Sequence, residues 1–335
     1  MKIVIPMAGR GTRLRPHTLT IPKPLIPIAG KAIVQRLVED LALSVGEKVT
    51  DIGFIIGDFG AEVEADLLAM AKSIGAQGHI FYQREQLGTA HAVLCAAPLL
   101  DGPVVVAFAD TLFDADFKLD ANADGVIWVQ RVKDPSAYGV VTLNGEGVVS
   151  KFVEKPKEFV SDLAIIGIYY FKDGDRLRKE CQYLIDNNIR VKTEYQLTDA
   201  LDNMKSAGMR FVPGEIKEWL DFGNKDAVVE SSASVLKFML RKNSLLRHAS
   251  AQLINSVVIE PCFLAEGVVV ENSVIGPNVI LETNAHVKNS IIADSIVLDN
   301  AKLTNVNYKN SMIGRFAEVN KQAEVFSLGD YSTLL

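Results

Sequence analysis

A chain of 335 residues exceeds the size at which a single hydrophobic core keeps growing, so two domains are expected. With 48% hydrophobic and 23% charged residues it reads as soluble and globular, which excludes an intrinsically disordered chain. A formal net charge of −6 speaks against a nucleic-acid-binding surface, yet leaves room for a phosphate-rich ligand held by a few local lysines and arginines.

From residue 1 to about 225, short apolar runs alternate with helical patterns. Ile3 to Ile5, Asp51 to Ile56, His79 to Tyr82, Val104 to Phe108 and Gly125 to Gln130 read as strands. Val34 to Leu43, Ala61 to Ser73 and Ala90 to Ala97 read as the helices between them. This alternation predicts an α/β domain with a mostly parallel, buried sheet over residues 1–225. Apolar residues at helical spacing (Val228, Val235, Phe238, Met239) then predict a connecting helix within 226–249.

After residue 250 the texture changes. Asn-Ser followed by two apolar residues recurs at Asn255, Asn272, Asn289 and Asn310, the first three copies evenly spaced and the last further on. Apolar residues also recur about every six positions (Phe263, Val269, Ile275, Leu281, Val287). Six residues per flat side and three sides per coil predict a small left-handed parallel β-helix over residues 250–335.

The first strand runs into Pro6-Met7-Ala8-Gly9-Arg10-Gly11-Thr12-Arg13-Leu14-Arg15-Pro16, followed by Pro22-Lys23-Pro24-Leu25. Two glycines after a buried strand let the backbone approach an anion closely, and Arg13 and Lys23 supply positive charge. No Gly-Lys-Ser/Thr closes the loop, and Leu14 occupies the third glycine position of a dinucleotide fingerprint, so neither of those motifs applies.

These two blocks resemble the signature of the sugar nucleotidyltransferase (nucleoside-diphosphate-sugar pyrophosphorylase) family, with further matches in order to about residue 225. The chain departs from the common start at Ala8-Gly9, where many members have Gly-Gly. The resemblance implies a Rossmann-like, doubly wound mixed sheet, often followed by a left-handed β-helix. It also implies that Ala8, Gly9, Gly11 and Thr12 bind the nucleotide, while Arg13 and Lys23 act on the triphosphate. In the block Gln83-Arg84-Glu85-Gln86-Leu87-Gly88-Thr89-Ala90, Gln83, Gly88 and Thr89 correspond to nucleotide-binding positions. An amide offers both donor and acceptor, which suits the edge of a pyrimidine.

Asp110 ends the run Val104-Val105-Val106-Ala107-Phe108-Ala109, where a carboxylate is placed to hold a metal over the sheet edge. It matches the family's Gly-Asp metal ligand, with Ala109 in place of Gly. Asp221, in Glu218-Trp219-Leu220-Asp221-Phe222-Gly223, resembles the second ligand. Either aspartate alone would read as a cap or turn residue; the pair suits Mg²⁺ that keeps water and phosphate oxygens. On the sugar side the resemblance assigns Gly139, Glu154, Lys155, Gly167 and Trp219, with Lys155 gripping the sugar phosphate. Position 166 is Ile where some relatives carry a polar residue.

The expected reaction is attack of a sugar-1-phosphate on the α-phosphorus of dTTP or UTP, releasing pyrophosphate, with glucose-1-phosphate the default sugar. The Tyr138-Gly139-Val140, Glu154-Lys155-Pro156 and Trp219-Leu220-Asp221 blocks look like glucose-1-phosphate thymidylyltransferases. The run from Glu85 to Ala92 looks instead like N-acetylglucosamine-1-phosphate uridylyltransferases. A non-catalytic regulatory subunit is the other alternative, although the charged residues such a protein would lose are retained. His286 is the single plausible general base for a second activity in the tail. Cys95, Cys181 and Cys262 are far apart and form no C-x-x-C pair, which suits a reducing cytosol. The opening apolar run is too short for a signal peptide, and no run reaches the length of a membrane helix. A cytoplasmic homo-oligomer, assembled through the tail, is therefore expected, without nucleic-acid or membrane partners.

Overall fold

The computed structural model describes residues 1–114, 123–322, 325 and 327–333. The chain divides into two compact units, Met1–Ile26 with Ala32–Gly223, and Pro27–Lys31 with Asn224–Leu335. The short piece 27–31 therefore belongs with the later part of the chain, a pairing that no local sequence pattern signals.

The elements of the first part are, in order, β1 (Lys2–Pro6), β2 (Pro27–Ile28), β3 (Lys31–Ala32), α1 (Ile33–Ser44), β4 (Asp51–Ile56), α2 (Ala61–Ser73), β5 (Gln77–Tyr82) and α3 (Thr89–Cys95). There follow β6 (Val104–Ala107), β7 (Thr111–Asp114), β8 (Gly125–Arg131), β9 (Gly139–Leu143), β10 (Val149–Glu154), β11 (Leu163–Phe171), α4 (Gly174–Asp186), α5 (Leu197–Ser206), β12 (Phe211–Glu215) and β13 (Glu218–Asp221). Strands β6, β1, β4 and β5 lie side by side in that order, all parallel. Ile3, Val4 and Ile5 of β1 and all of β6 are fully buried, as parallel strands covered on both faces must be. The antiparallel half of the nine-stranded sheet begins at β11, which pairs with β6 and β8.

Two features of this topology position the site. The chain lays down β1, β4 and β5 in one direction and then returns to place β6 on the other side of β1. The carboxyl ends of β1 and β6 thus flank a topological switch point, where an α/β sheet opens a crevice. Separately, β7 and β13 form a two-stranded antiparallel ladder in which Thr111 faces Asp221. The Phe222 N–H donates to the Asp110 carbonyl at 3.1 Å, continuing that register.

Local chemistry sets the element ends. Asp173 caps α4 by accepting from the Arg176 N–H. Helix α3 stops at Cys95, short of the expected Ala97, and a 3₁₀ turn Ala97–Leu99 follows. Pro98 has no N–H to continue the helix, so the turn tightens instead.

In the second part, α6 (Lys225–Arg241) is capped by Asn224, which accepts from the Ala227 N–H at 3.1 Å. The helix ends at Arg241, well before His248, because Asn243 adopts a left-handed backbone (φ 52°) that terminates it. Short parallel strands then coil from β14 (Gln252–Ile254) to β24 (Glu318–Asn320). One face stacks residues 252–254, 269–271, 286–288, 302–304 and 318–320. The second stacks 257–258, 274–275, 291–292 and 307–308, and the third 262–264, 279–281, 295–297 and 311–313. Three parallel faces per coil make a β-helix.

The buried row is Leu264, Val270, Ile275, Leu281, Val287, Ile292, Val297 and Leu303, each at most 1% exposed. Phe263 and Val269, expected in this row, each sit one residue out of phase with it. The repeat also differs at its last copy. Asn255, Asn272, Asn289 and Asn305 share one corner, all with positive φ, and their amides bond from coil to coil. Asn310 belongs to a different corner, where Ser311 donates its N–H to Ser295 Oγ. The repeat shortens from 17 to 16 residues, Val306 stands after Asn305 at the original corner, and the last Asn-Ser pair instead stacks on Asp294-Ser295. Among the described residues no helix is long and apolar enough to cross a membrane.

Candidate active site

A cavity of about 370 Å³ opens at the switch point. Its walls come from the loop after β1 (Ala8, Gly9, Gly11, Thr12, Arg13), from Lys23, from the β5–α3 loop (Gln83, Gln86, Gly88, Thr89) and from Asp110 after β6. Every residue expected to bind nucleotide or triphosphate thus lines one space. Their sequence separation is bridged by the parallel order of β1, β5 and β6.

The glycines play different parts. A Cβ at Gly9 would meet nothing within 4 Å, so packing does not require this glycine and its bareness leaves space in the cavity. Gly11 has φ +58°, and a Cβ there would lie 3.0 Å from Lys23 Cβ and Thr18 Cγ2. Its carbonyl accepts from the Thr18 hydroxyl at 2.7 Å, which folds the glycine-rich loop onto the following turn. Gly88 has φ +110°, and a Cβ would stand 2.5 Å from the Tyr195 carbonyl oxygen. Close packing on the 194–195 backbone therefore demands this glycine independently of any ligand.

Gln83 is 5% exposed and its amide is held from within. Nε2 donates to the Gly88 carbonyl at 3.1 Å and contacts His91 Nδ1 at 3.2 Å. Gln86 crosses the cavity mouth, donating from Nε2 to the Ala8 carbonyl at 3.0 Å. The Thr89 hydroxyl accepts from the Leu197 N–H at 2.8 Å, so it ties α3 to α5 while its residue lines the cavity. Gln86, His91 and Glu194 were not singled out from sequence. His91 follows Thr89 on the same short helix, one turn from the loop, a spacing that helical periodicity brings back toward Gln83.

At the base of the cavity Lys23 Nζ lies 2.9 Å from Asp110 Oδ2, with the lysine side chain 11% exposed. The β7–β13 ladder brings Asp221 beside this pair. Burial, and next the charge of Asp110, push the Asp221 carboxyl above the usual carboxylate range, opposed by the Gly223 N–H, Lys23 and Arg13. Gly223 donates that N–H to Asp221 Oδ1 at 2.8 Å. Among the described residues no group of three or more His, Cys, Asp or Glu side chains gathers as a metal cage. Two hard oxygen donors that repel one another nevertheless fit a divalent cation that takes its remaining ligands from water and phosphate.

The residues expected on the sugar side form a separate cluster. Glu154 Oε2 is 3.4 Å from the Thr198 hydroxyl, and its Oε1 is 3.4 Å from Lys155 Nζ. A Cβ at Gly139 would come within 3.0 Å of Glu154 Oε2, so the glycine makes room for that carboxylate. Lys155 holds a left-handed backbone (φ 42°), with its N–H bonded to the Tyr138 carbonyl at 3.0 Å. A non-glycine residue kept in this conformation at a cleft is strain retained by its surroundings. Trp219 packs edge-on against Tyr138 at 5.0 Å, and its indole N–H donates to the Thr111 hydroxyl at 3.3 Å. That donor is already engaged, so Trp219 has an aromatic surface to offer. Gly167 (φ +85°) sits in the bulge of β11, and its carbonyl accepts from the Phe108 N–H at 2.9 Å. Burial, with the Asp221 charge, raises the Tyr138 phenol, which also feels Arg13. The two clusters are thereby linked through Tyr138 and Asp221.

The arrangement sets a glycine-rich loop with Arg13 and Lys23 beside two carboxylates, next to the cluster of Tyr138, Gly139, Glu154 and Lys155, which lies outside the lining of the cavity. Residues 2–237 match the family described as nucleotidyl transferase. The whole chain is similar to a glucose-1-phosphate thymidylyltransferase from Streptomyces antibioticus, 30% identical across 99% of this chain and 98% of that protein. It is also similar to the bifunctional protein GlmU of Methanococcus maripaludis, at 30% identity over 94% of this chain and 77% of the relative. A Bacillus anthracis structure, provisionally named a glucose-1-phosphate thymidylyltransferase and solved with sucrose, shares the fold. Its TM-score is 0.59 at 24% identity, over 70% of this chain and 94% of that one.

Proposed function

The chain belongs to the nucleotidyl transferase family as a sugar-1-phosphate nucleotidyltransferase, and on that premise we propose that it joins dTTP or UTP to glucose-1-phosphate. The reading rests chiefly on the single cavity that collects Gly9, Gly11, Arg13, Lys23, Gln83 and Asp110 at the switch point.

In this reaction a phosphate oxygen of the sugar-1-phosphate forms a bond to the α-phosphorus of the triphosphate. The bond from that phosphorus to the β-phosphate bridging oxygen breaks, and pyrophosphate leaves with the electron pair. The nucleophile is already an anion, so no side-chain base is needed. The barrier is repulsion between two anions plus charge growing on the leaving group, which makes positioning and electrostatic stabilisation the means of catalysis. Arg13 and Lys23, on the cavity wall, neutralise the triphosphate oxygens. Lys155 holds the sugar phosphate while Glu154, kept in place by Thr198 and the space at Gly139, accepts from sugar hydroxyls. Asp110 and Asp221 would hold Mg²⁺. When bound, the ion supplies positive charge to the phosphates in line with those lysines and arginine.

The base is proposed to be read by Gln83, and the 194–195 backbone and Gly88 shape the wall beside it. An N-acetylated sugar is the second reading, supported by the run from Glu85 to Ala92, which resembles N-acetylglucosamine-1-phosphate uridylyltransferases. Self-assembly through the β-helix completes the proposal, and a monomeric mass in native mass spectrometry would remove that element.

The test is pyrophosphate release with Mg²⁺, for ATP, CTP, GTP, UTP and dTTP against glucose-1-phosphate, N-acetylglucosamine-1-phosphate and mannose-1-phosphate. Asp110→Asn serves as the control. Turnover confined to dTTP or UTP with glucose-1-phosphate, and lost in the variant, is the expected outcome. Turnover only with a purine nucleotide, or only with another sugar, would replace the substrate pair.

A further inference from the structure

The carboxamide of Gln83 is committed on its nitrogen side. Nε2 carries two hydrogens, and its two neighbours within bonding distance are the Gly88 carbonyl at 3.1 Å and His91 Nδ1 at 3.2 Å. A carbonyl can only accept, so the atom of Gln83 facing it must be the amide nitrogen and not the oxygen. That nitrogen has no lone pair to offer, so His91 Nδ1 must accept its second hydrogen. The ring proton then sits on Nε2, and the imidazole is neutral.

With both amide hydrogens engaged, the polar atom of Gln83 left for a ligand in the cavity this residue lines is its oxygen, Oε1. An acceptor in a nucleobase site selects a ring nitrogen that carries hydrogen. The imide of thymine or uracil and the lactam of guanine provide one. Adenine and cytosine have a bare ring nitrogen there and can meet an acceptor only through their exocyclic amino group, so this position disfavours them. The acceptor-only state of Gln83 is narrower than the donor-and-acceptor role expected of a free amide.

We propose that His91 is a positioning residue that fixes the Gln83 carboxamide with its oxygen toward the base, and that a proton on the ring cancels this selection. Protonated His91 would place a second N–H against Gln83 Nε2. Rotating the amide relieves that clash but turns Oε1 against the Gly88 carbonyl and sends the NH₂ group into the cavity. Either way the acceptor is withdrawn. The proposal rests on the reading of this cavity as the nucleotide site.

The surroundings of His91 support the neutral form. Burial lowers its pKa below the ordinary histidine value, and Glu85, in the preceding loop, pulls more weakly the other way. Helix α3 packs against β1, β4, α4 and α5. Most charged groups on those elements are paired: Lys2 with Asp101, Asp51 with His79, Arg176 with Glu180, Arg178 with Asp175 and Lys205 with Asp202, while Asp199 of α5 keeps one buried carboxylate oxygen without a bond. Glu85 is the charged group whose field acts on the ring.

The experiment is calorimetric binding of dTTP and CTP, without sugar phosphate, to the full chain between pH 4.5 and 8, with the His91 titration itself followed by NMR. Wild type is compared with His91→Asn and His91→Leu. In His91→Asn, Oδ1 takes the place of Nδ1 as an acceptor that cannot be protonated. The ratio of wild-type to variant affinity cancels the titration of the triphosphate itself. We expect that ratio to fall by about tenfold in all as pH drops through the His91 titration and to be level above it. His91→Leu, lacking any acceptor, should bind dTTP about tenfold more weakly at pH 8 and discriminate less against CTP. A pH-independent ratio for His91→Asn would overturn the proposal, as would wild-type affinity and discrimination in a folded His91→Leu. Should His91→Leu not fold, the His91→Asn ratio decides alone. Binding of dTTP at pH 8 with no such pH effect would defeat the role of His91 and leave the nucleotide site standing. No binding of either nucleotide at pH 8 would defeat both.

Discussion

Lys23 and Asp110, both lining the cavity, form an ion pair at 2.9 Å whose carboxylate also bears on Asp221, so groups from three separate segments are electrostatically coupled. The loop after β1, the end of β6 and the β7–β13 ladder supply one each. A substitution at any of the three changes the field on the other two, and additive effects are not expected among them.

Asp110→Asn should leave the fold intact and reduce turnover by about 10²–10³ or more, the usual scale for a lost electrostatic contact in a transition state. Circular dichroism checks the fold, and pyrophosphate release checks the rate. Wild-type turnover in this variant would remove Asp110 from the chemistry.

Asp221→Asn should separate stability from activity. The folded-state pKa of Asp221 is raised, chiefly by burial and then by Asp110, so between the unfolded and folded values the native state binds more protons. Stability contributed by this group therefore falls as pH rises through that window. The asparagine keeps an oxygen to accept from the Gly223 N–H and carries no charge. Its melting temperature should exceed that of wild type at pH 7, with a gap that narrows toward pH 4, while turnover falls. A variant less stable than wild type at pH 7 would contradict this account.

Two glycines of the cavity should respond oppositely. Gly9→Ala meets open space, so its stability should stay within about 0.5 kcal/mol of wild type, with weakened nucleotide binding. Gly88→Ala would drive a methyl to 2.5 Å from the Tyr195 carbonyl at a left-handed φ and should cost about 2–3 kcal/mol. Thermal melts with a nucleotide titration distinguish them. Equal destabilisation would mean that packing alone explains both glycines.

Gly139→Ala should act on the sugar. Its methyl would lie 3.0 Å from Glu154 Oε2 and 3.3 Å from Ile165 Cδ1 and Thr198 Cγ2. The carboxylate must shift by a few tenths of an ångström, which should raise KM for the sugar-1-phosphate several-fold and leave KM for the nucleotide unchanged. A change confined to the nucleotide would place Glu154 elsewhere in the reaction.

In the β-helix, Asn272 accepts from Asn255 at 2.8 Å and donates to Asn289 at 3.3 Å, at φ 48°. Asn272→Ala loses both bonds and strains the corner, a cost of about 2 kcal/mol, and Asn272→Gly should cost less because glycine accepts that φ. Equilibrium denaturant unfolding orders the variants. An alanine variant as stable as the glycine one would show that the backbone at this corner relaxes freely.

Much of this protein was determined by sequence alone, because the relevant physics is local. Apolar runs of β1, β4 and β6 and the helical periodicity of α1 and α2 follow from neighbouring residues. The asparagine corners follow from a short repeat. The glycine-rich loop, Lys23 and Asp110 were legible because each ends or follows a recognisable strand, and the family resemblance supplied their order. Other features were decided only by tertiary structure. Gly88 is dictated by the backbone at Tyr195, and Gly139 by the carboxylate of Glu154, both distant in the chain. The shift of the last repeat to a different corner appears only when the coils stack in register. Above all, the orientation of Gln83 depends on a carbonyl and an imidazole that face it only after the loop following β5 turns back and α3 packs onto β1 and β4. A side chain's identity lies in the sequence, but which of its atoms remains for a ligand depends on which ones its folded neighbours have already engaged.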